Sequence, residues 1–145
     1  MLPDAIDLVI VTPEKQLLRE KTVEVQMPGE NGYLGILPGH APLMTELGIG
    51  ELSYHDTSRK ESAHIAIIRG FAEVLSDRVT ILAETAERAE EIDLQRAKDA
   101  LARAEKRLAA NDPNIDWDRA SIALQRALIR IQVATKRRSA LVSGS

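Results

Sequence analysis

The chain has 145 residues, a net charge of −3 and no cysteine. That length can bury a core of its own without cross-links. The missing cysteine excludes disulfides, thiolate catalysis and cysteine-ligated metals, and points to a reducing compartment. Tyr33, Tyr54, Phe71 and Trp117 are the only aromatic side chains. They are too few for a stacking platform, so nucleic acid is not an expected partner. Apolar runs such as Ile65 to Ile68 are too short to span a membrane, and the start, Met1-Leu2-Pro3-Asp4, lacks the regions of a signal peptide. The expected location is the cytosol or the cytosolic face of a membrane. Charge is divided unevenly: residues 1–86 carry 7 basic and 13 acidic side chains, and residues 87–145 carry 12 basic and 9 acidic. Such a division suits two parts with different partners.

Residues 5–86 read as short strands. Ile6 to Val11 is rich in β-branched residues, and Val23 to Met27 alternates strictly, as a half-buried strand requires. Leu34 to Leu37, Gly50 to His55, His64 to Arg69, Ala72 to Leu75 and Val79 to Glu84 are further candidates. Pro28-Gly29, Asn31-Gly32, Pro38-Gly39 and Ser76-Asp77 separate them with turn-forming residues. The pattern predicts a mainly β domain over 1–86, a sandwich or flattened barrel of antiparallel sheets.

From Glu87 the composition shifts to Ala, Arg, Leu and Glu, all strong helix formers. Asn111-Asp112-Pro113-Asn114 interrupts the run, predicting a two-helix hairpin over 87–138 and a flexible tail over 139–145. The helices fall at about 93–111 and 116–136 and, with so short a connection, are antiparallel neighbours. An offset of 23 residues reveals an internal repeat. Ile92-Asp93-Leu94-Gln95-Arg96-Ala97 recurs as Ile115-Asp116-Trp117-Asp118-Arg119-Ala120, and nine of seventeen aligned positions are identical. Asp93 and Asp116 stand where N-caps belong, each preceded by an isoleucine able to staple onto the following turn. Leu94, Ala97, Leu101, Ala104 and Leu108 form one seam at 3-4 spacing; Ala120, Leu124, Ala127, Ile131 and Ala134 form the other.

Catalytic chemistry is missing from the pattern. His40, His55 and His64 lie on separate segments without metal-ligand spacing. Gly29, Gly32, Gly35 and Gly39 form neither a dinucleotide fingerprint nor a phosphate loop. No enzyme and no required cofactor is expected.

Gly32-Tyr33-Leu34-Gly35-Ile36-Leu37-Pro38-Gly39-His40-Ala41-Pro42-Leu43 resembles the Gly-x-Leu-Gly-Ile-x-Pro-Gly-His-Ala-Pro-Leu signature of the epsilon subunit of F-type ATP synthases, the delta subunit of mitochondria. Gly48-Ile49-Gly50-Glu51-Leu52, Arg69-Gly70-Phe71-Ala72-Glu73-Val74 and the hairpin beginning at Ile92-Asp93 follow in family order, so the resemblance covers essentially the whole chain. It implies a ten-stranded β sandwich followed by two antiparallel helices. It also implies a place in the central stalk, bound to the gamma subunit and resting on the ring of c subunits, peripheral to the cytoplasmic face of the bacterial membrane.

The resemblance further implies a hairpin that either lies folded or extends into the catalytic head of alpha and beta subunits, where it suppresses ATP hydrolysis. Arg119, Arg126, Arg130 and Arg137 lie on one helical stripe, and no acidic residue follows Asp118. This stripe is the candidate contact with the catalytic beta subunit. Some members bind ATP as a regulatory ligand. Glu87, Ile92, Asp93, Arg96, Ala97, Arg103, Arg126 and Arg130 match that motif, although cap-and-staple chemistry alone would also account for the repeated part. Tyr33 is the candidate contact with the c ring; His40, Pro42 and Met44 are candidates for the gamma surface. A coupling part without ATP sensing, or a free-standing β adaptor with an interaction hairpin, is the alternative.

Overall fold

The structure, a computed structural model, describes residues 2–57 and 61–143, and the side chains of all of these but 56 and 137–143. Six strands come first: β1 (Ile6–Val11), β2 (Gln16–Gly29), β3 (Gly32–Ile36), β4 (Leu43–Asp56), β5 (Ser62–Val74) and β6 (Arg78–Arg88). A single 3-10 turn (Ala89–Glu91) and two helices, α1 (Leu94–Ala109) and α2 (Trp117–Ser143), follow. The chain forms two compact units, residues 1–88 and 89–145.

In the first unit the strands run in the order β1-β6-β5-β4-β2-β3, and β1 also pairs with β2. That last pairing closes five strands into a barrel. β1 occupies one edge of β2 as far as Thr22, and β3 takes over the same edge from Val25. Period-2 alternation feeds the core: Ile6, Leu8 and Ile10 on β1 are fully buried, as are Ile81 and Val79 on β6. They join Val25, Met27, Leu52, Ile65, Ile67 and Val74 in one cluster. Each such side chain contributes roughly 1.5–3 kcal/mol through its removal from water.

Ten strands are not what forms. β2, β4 and β5 are 14, 14 and 13 residues long, and they bend rather than end. His64 to Arg69 and Ala72 to Leu75, read as two strands, belong to β5, which runs on to Val74. Leu47 pairs with Gly70 and Ile49 with Ile68, so the ladder skips Gly48 and Arg69; on the other side Ile68 and Gly70 pair with Thr85 and Ala83, skipping Glu84. Arg69 and Gly70 both have positive φ, 56° and 151°. The bend is therefore made inside one hydrogen-bonded strand. A second departure from the sequence reading is the parallel pairing of β1 with β6, from Asp7 opposite Arg78 to Val11 opposite Leu82. No hairpin joins these two strands, so nothing local sets their relative direction.

The second unit follows the repeat. Asp93 Oδ1 accepts the Arg96 backbone N–H at 3.0 Å, and Asp116 Oδ1 accepts that of Arg119 at 3.1 Å. Each N-cap contributes about 1 kcal/mol. α1 stops at Ala109, earlier than the predicted 111, and Asn111 takes a left-handed φ of 53°. The connection is coiled by its own hydrogen bonds, from Asn114 N–H to Asp112 Oδ1 (2.9 Å) and from Ile115 N–H to the Asp112 carbonyl (3.2 Å). α2 thus starts beside the end of α1 and returns along it. The seam alanines Ala97, Ala104, Ala120, Ala127 and Ala134 are all buried. Ile129 and Val133, outside the predicted seam, are buried as well. α2 runs to Ser143, through most of the predicted tail; the last two residues of that tail lie outside the described residues.

Candidate functional site

Two surfaces carry the candidates, one on each unit. On the first, alternation sends Ala72, Val74 and Ile81 into the core and turns their neighbours outward. Phe71 lies opposite both Glu46 and Leu82. Phe71 is 50% exposed, Leu82 54% and Met44 66%. Phe71 and Leu82 line a depression of about 760 Å³ that also receives Glu30, Glu46, Arg69 and Glu84. Phe71 and Leu82 were missed as site candidates, although the alternation of Gly70-Phe71-Ala72-Glu73-Val74 already sets Phe71 on the same face as Glu73.

Tyr33 does not project freely from the tip of the β2–β3 turn. It lies opposite Pro28, and its hydroxyl accepts the Glu51 backbone N–H at 3.0 Å. The hydroxyl comes so close to Gly50 that a Cβ there would stand 2.9 Å from it. The ring remains 61% exposed, so it is held in place and presented. Tyr33 and Met44 come together along one depression of about 400 Å³; His40 and Pro42 do not line it. His40, half-buried in the loop between β3 and β4, donates from Nδ1 to the Ala41 carbonyl at 2.7 Å. Gly39 N–H binds the Ser76 carbonyl at 2.7 Å, tying that loop to the β5–β6 turn.

On the second unit, Ile92, Asp93, Arg96 and Ala97 form the first turn of α1 and the residues before it. Ile92 and Ala97 are buried, while Arg96, Arg103 and Arg126 are exposed and Arg130 is half-buried. The Asp93 carboxylate is already engaged as a cap. Arg119 stands at the other end of the hairpin, where it shares a depression of about 320 Å³ with Arg107 and Asp116. Arg137 is on α2, but its side chain lies outside the described residues. Glu87 stands on β6 of the first unit, opposite Ala66. Among the described residues no group of three or more His, Asp or Glu is placed to hold a metal ion, and no helix is long and apolar enough to cross a membrane.

A family model described as "ATP synthase, Delta/Epsilon chain, beta-sandwich domain" matches residues 5–89, and one described as "ATP synthase, Delta/Epsilon chain, long alpha-helix domain" matches residues 90–135. The chain belongs to the ATP synthase delta/epsilon chain family. It is 48% identical to the ATP synthase epsilon chain of Solibacter usitatus, over 94% of this chain and 100% of that one. With the ATP synthase epsilon chain of Koribacter versatilis it shares 56% identity over 77% of this chain and 78% of the relative. A chain of the Euglena gracilis mitochondrial ATP synthase, solved by cryo-EM, has the same fold, with a TM-score of 0.80 at 24% identity over 93% of this chain and 84% of that chain. The chain is accordingly an epsilon-type, non-catalytic subunit of the F-type ATP synthase central stalk.

One electrostatic feature of this delta/epsilon chain is testable in isolation. Glu30 N–H donates to the Glu46 carbonyl at 3.0 Å, which brings the two carboxyl groups together. A hydrogen bond with the Glu30 side chain, reinforced by its charge, raises the Glu46 pKa above the usual carboxylate value. A raised carboxyl pKa gives stability that is present at low pH and lost as pH rises through it, when the Glu46 carboxyl becomes charged. Glu46→Gln is therefore expected to raise the melting temperature at pH 7 and to give no gain near pH 4, about the ordinary glutamate value. Thermal melts at the two pH values check this; a gain of equal size at both would contradict it.

Proposed function

We propose that the first unit couples the gamma subunit to the ring of c subunits during proton-driven ATP synthesis, and that the hairpin restrains ATP hydrolysis and binds ATP. His40, Pro42 and Met44 form the gamma-facing side in this reading, to which the exposed Phe71 and Leu82 add apolar surface, and Tyr33 touches the c ring. The complex holds the chain on the cytoplasmic face of the bacterial membrane. The hairpin acts through Arg119, Arg126, Arg130 and Arg137 against the catalytic beta subunit when extended. When folded it holds ATP through Arg96, Arg103, Arg126 and Arg130, with Ile92, Asp93 and Ala97 fixing the helix start from which Arg96 projects. ATP is a regulator in this role, and no resident cofactor is required.

The observation that carries the reading is the cationic surplus of the hairpin. Exposed Arg96, Arg103 and Arg126 make no ion pair among the described residues, and no acidic residue follows Asp118. Guanidinium forks left over in this way match phosphate oxygens and carboxylates bidentately.

Truncation after Glu91 is expected to raise ATP hydrolysis by the assembled catalytic head; an unchanged rate would remove the inhibitory role. Calorimetry of the isolated chain with ATP at low salt is expected to show binding that Arg103→Ala or Arg126→Ala weakens by about tenfold or more, since one hydrogen bond to a charged group contributes about 1.5–3 kcal/mol. Absence of binding heat would favour the purely mechanical reading.

A further inference from the structure

We propose that the hairpin carries a second phosphate-binding site at its connection end, built from Arg107 on the last turn of α1 and Arg119 on the first turn of α2. Its ligand is a short chain of phosphate groups, either free polyphosphate or the triphosphate of a nucleotide.

The residues that converge there are Arg107, Ile115, Asp116, Arg119 and Ala120, around one depression of about 320 Å³. A cavity of this size sits at the small end of ligand clefts, which start at about 300 Å³. Two arginines line it with a single acidic residue, and the Asp116 carboxylate already accepts the Arg119 backbone N–H. Neither guanidinium makes an ion pair among the described residues. Two arginines from different helices thus border one hollow, and no ion pair among the described residues compensates either charge. A tetrahedral anion with several acceptor oxygens satisfies both forks at once. Ile115 and Ala120 supply an apolar floor that keeps the charge contacts partly out of water.

The repeat explains how this end came to be built like the other. Two copies of one sequence unit, packed antiparallel, place equivalent residues at opposite ends of the helix pair. Any pair of residues across the hairpin then has a mate, found by adding 23 to the number on α1 and subtracting 23 from the number on α2. Arg107 maps onto Arg130, and Ile115, Asp116, Arg119 and Ala120 map onto Ile92, Asp93, Arg96 and Ala97. The connection-end hollow is the counterpart of the set assigned above to ATP. The two ends also differ in pairing: Arg130 already has a partner, whereas Arg107 makes no ion pair among the described residues. The connection-end site stands on its own geometry whether or not ATP binds at the other end.

Trp117, the only tryptophan, follows Asp116 directly and reports on the site. The full chain is titrated at low salt with inorganic tripolyphosphate, and Trp117 emission is followed. A saturable change is expected, and Arg107→Gln or Arg119→Gln should each weaken it by about tenfold or more, the effect of losing one charge-assisted contact. Both arginines are exposed, so neither substitution disturbs the seam, and circular dichroism confirms that the helices persist. A parallel titration with ATP separates the ligands: equal affinities identify the phosphate chain alone, and tighter ATP binding identifies a nucleotide. Arg96→Gln with Arg130→Gln is expected to abolish ATP heat at the opposite end while leaving the tripolyphosphate response of Trp117 intact, so failure of one site does not obscure the other. No saturable response, or one that both connection-end variants retain in full, overturns the proposal.

Discussion

Gly70→Ala is expected to destabilise the β unit by more than about 3 kcal/mol, through backbone strain and overpacking together. A Cβ on Gly70 would lie 2.1 Å from the Leu82 carbonyl oxygen and 2.8 Å from Ala83 Cα. Both are backbone atoms of the adjacent strand, so no side chain can swing aside. The φ of 151° adds strain for any L side chain. For a domain of this size, 1 kcal/mol shifts the melting temperature by roughly 4–8 °C, so a fall of about 12 °C or more is expected. Gly35→Ala is the control, because nothing lies within 4 Å of the added Cβ. Thermal unfolding followed by circular dichroism compares the two; a Gly70→Ala melt within a few degrees of the parent would show that the bend does not need glycine.

The second large effect concerns the hairpin seam. Ala104 and Ala127, 3% and 2% exposed, occupy the same place in the two copies of the repeat, on seams whose small side chains let the helices approach closely. Ala127→Leu forces extra carbons into that close approach and is expected to destabilise the helix pair by about 1–3 kcal/mol. Ala127→Glu adds an unpaired carboxylate to the same volume and should be worse, because burying a charge without a partner is among the few mechanisms with very large effects. Leu128→Ala, one residue on and 48% exposed, should stay within about 0.5 kcal/mol. The helical signal at 222 nm, followed through thermal unfolding, gives the ranking. If Ala127→Leu and Leu128→Ala behave alike, the alanine seam is not what holds the helices together.

The sites divide between what neighbouring residues dictate and what distant ones decide. The exposed arginines were legible because a helix has one period and one repeat places them. The pairing of Arg107 with Arg119 was not, because it depends on how far α2 slides along α1. Tyr33 could be recognised as an exposed turn-side aromatic, but not that its hydroxyl reaches back to the amide of Glu51, eighteen residues on.

The sequence by itself determined the local features. These are the caps at Asp93 and Asp116, the alanine seams, the alternation that buries Ile6, Leu8 and Ile10, and the shift from strand to helix composition after the β unit. Each follows from interactions spanning a few residues, where propensity and periodicity act directly. Only the tertiary structure decided that His64 to Arg69 and Ala72 to Val74 are one bent strand, that β1 lies parallel to β6, and that five strands close into a barrel. A strand's edge is chemically the same along its length, so its partner, direction and register are chosen by the assembled core rather than by the strand itself.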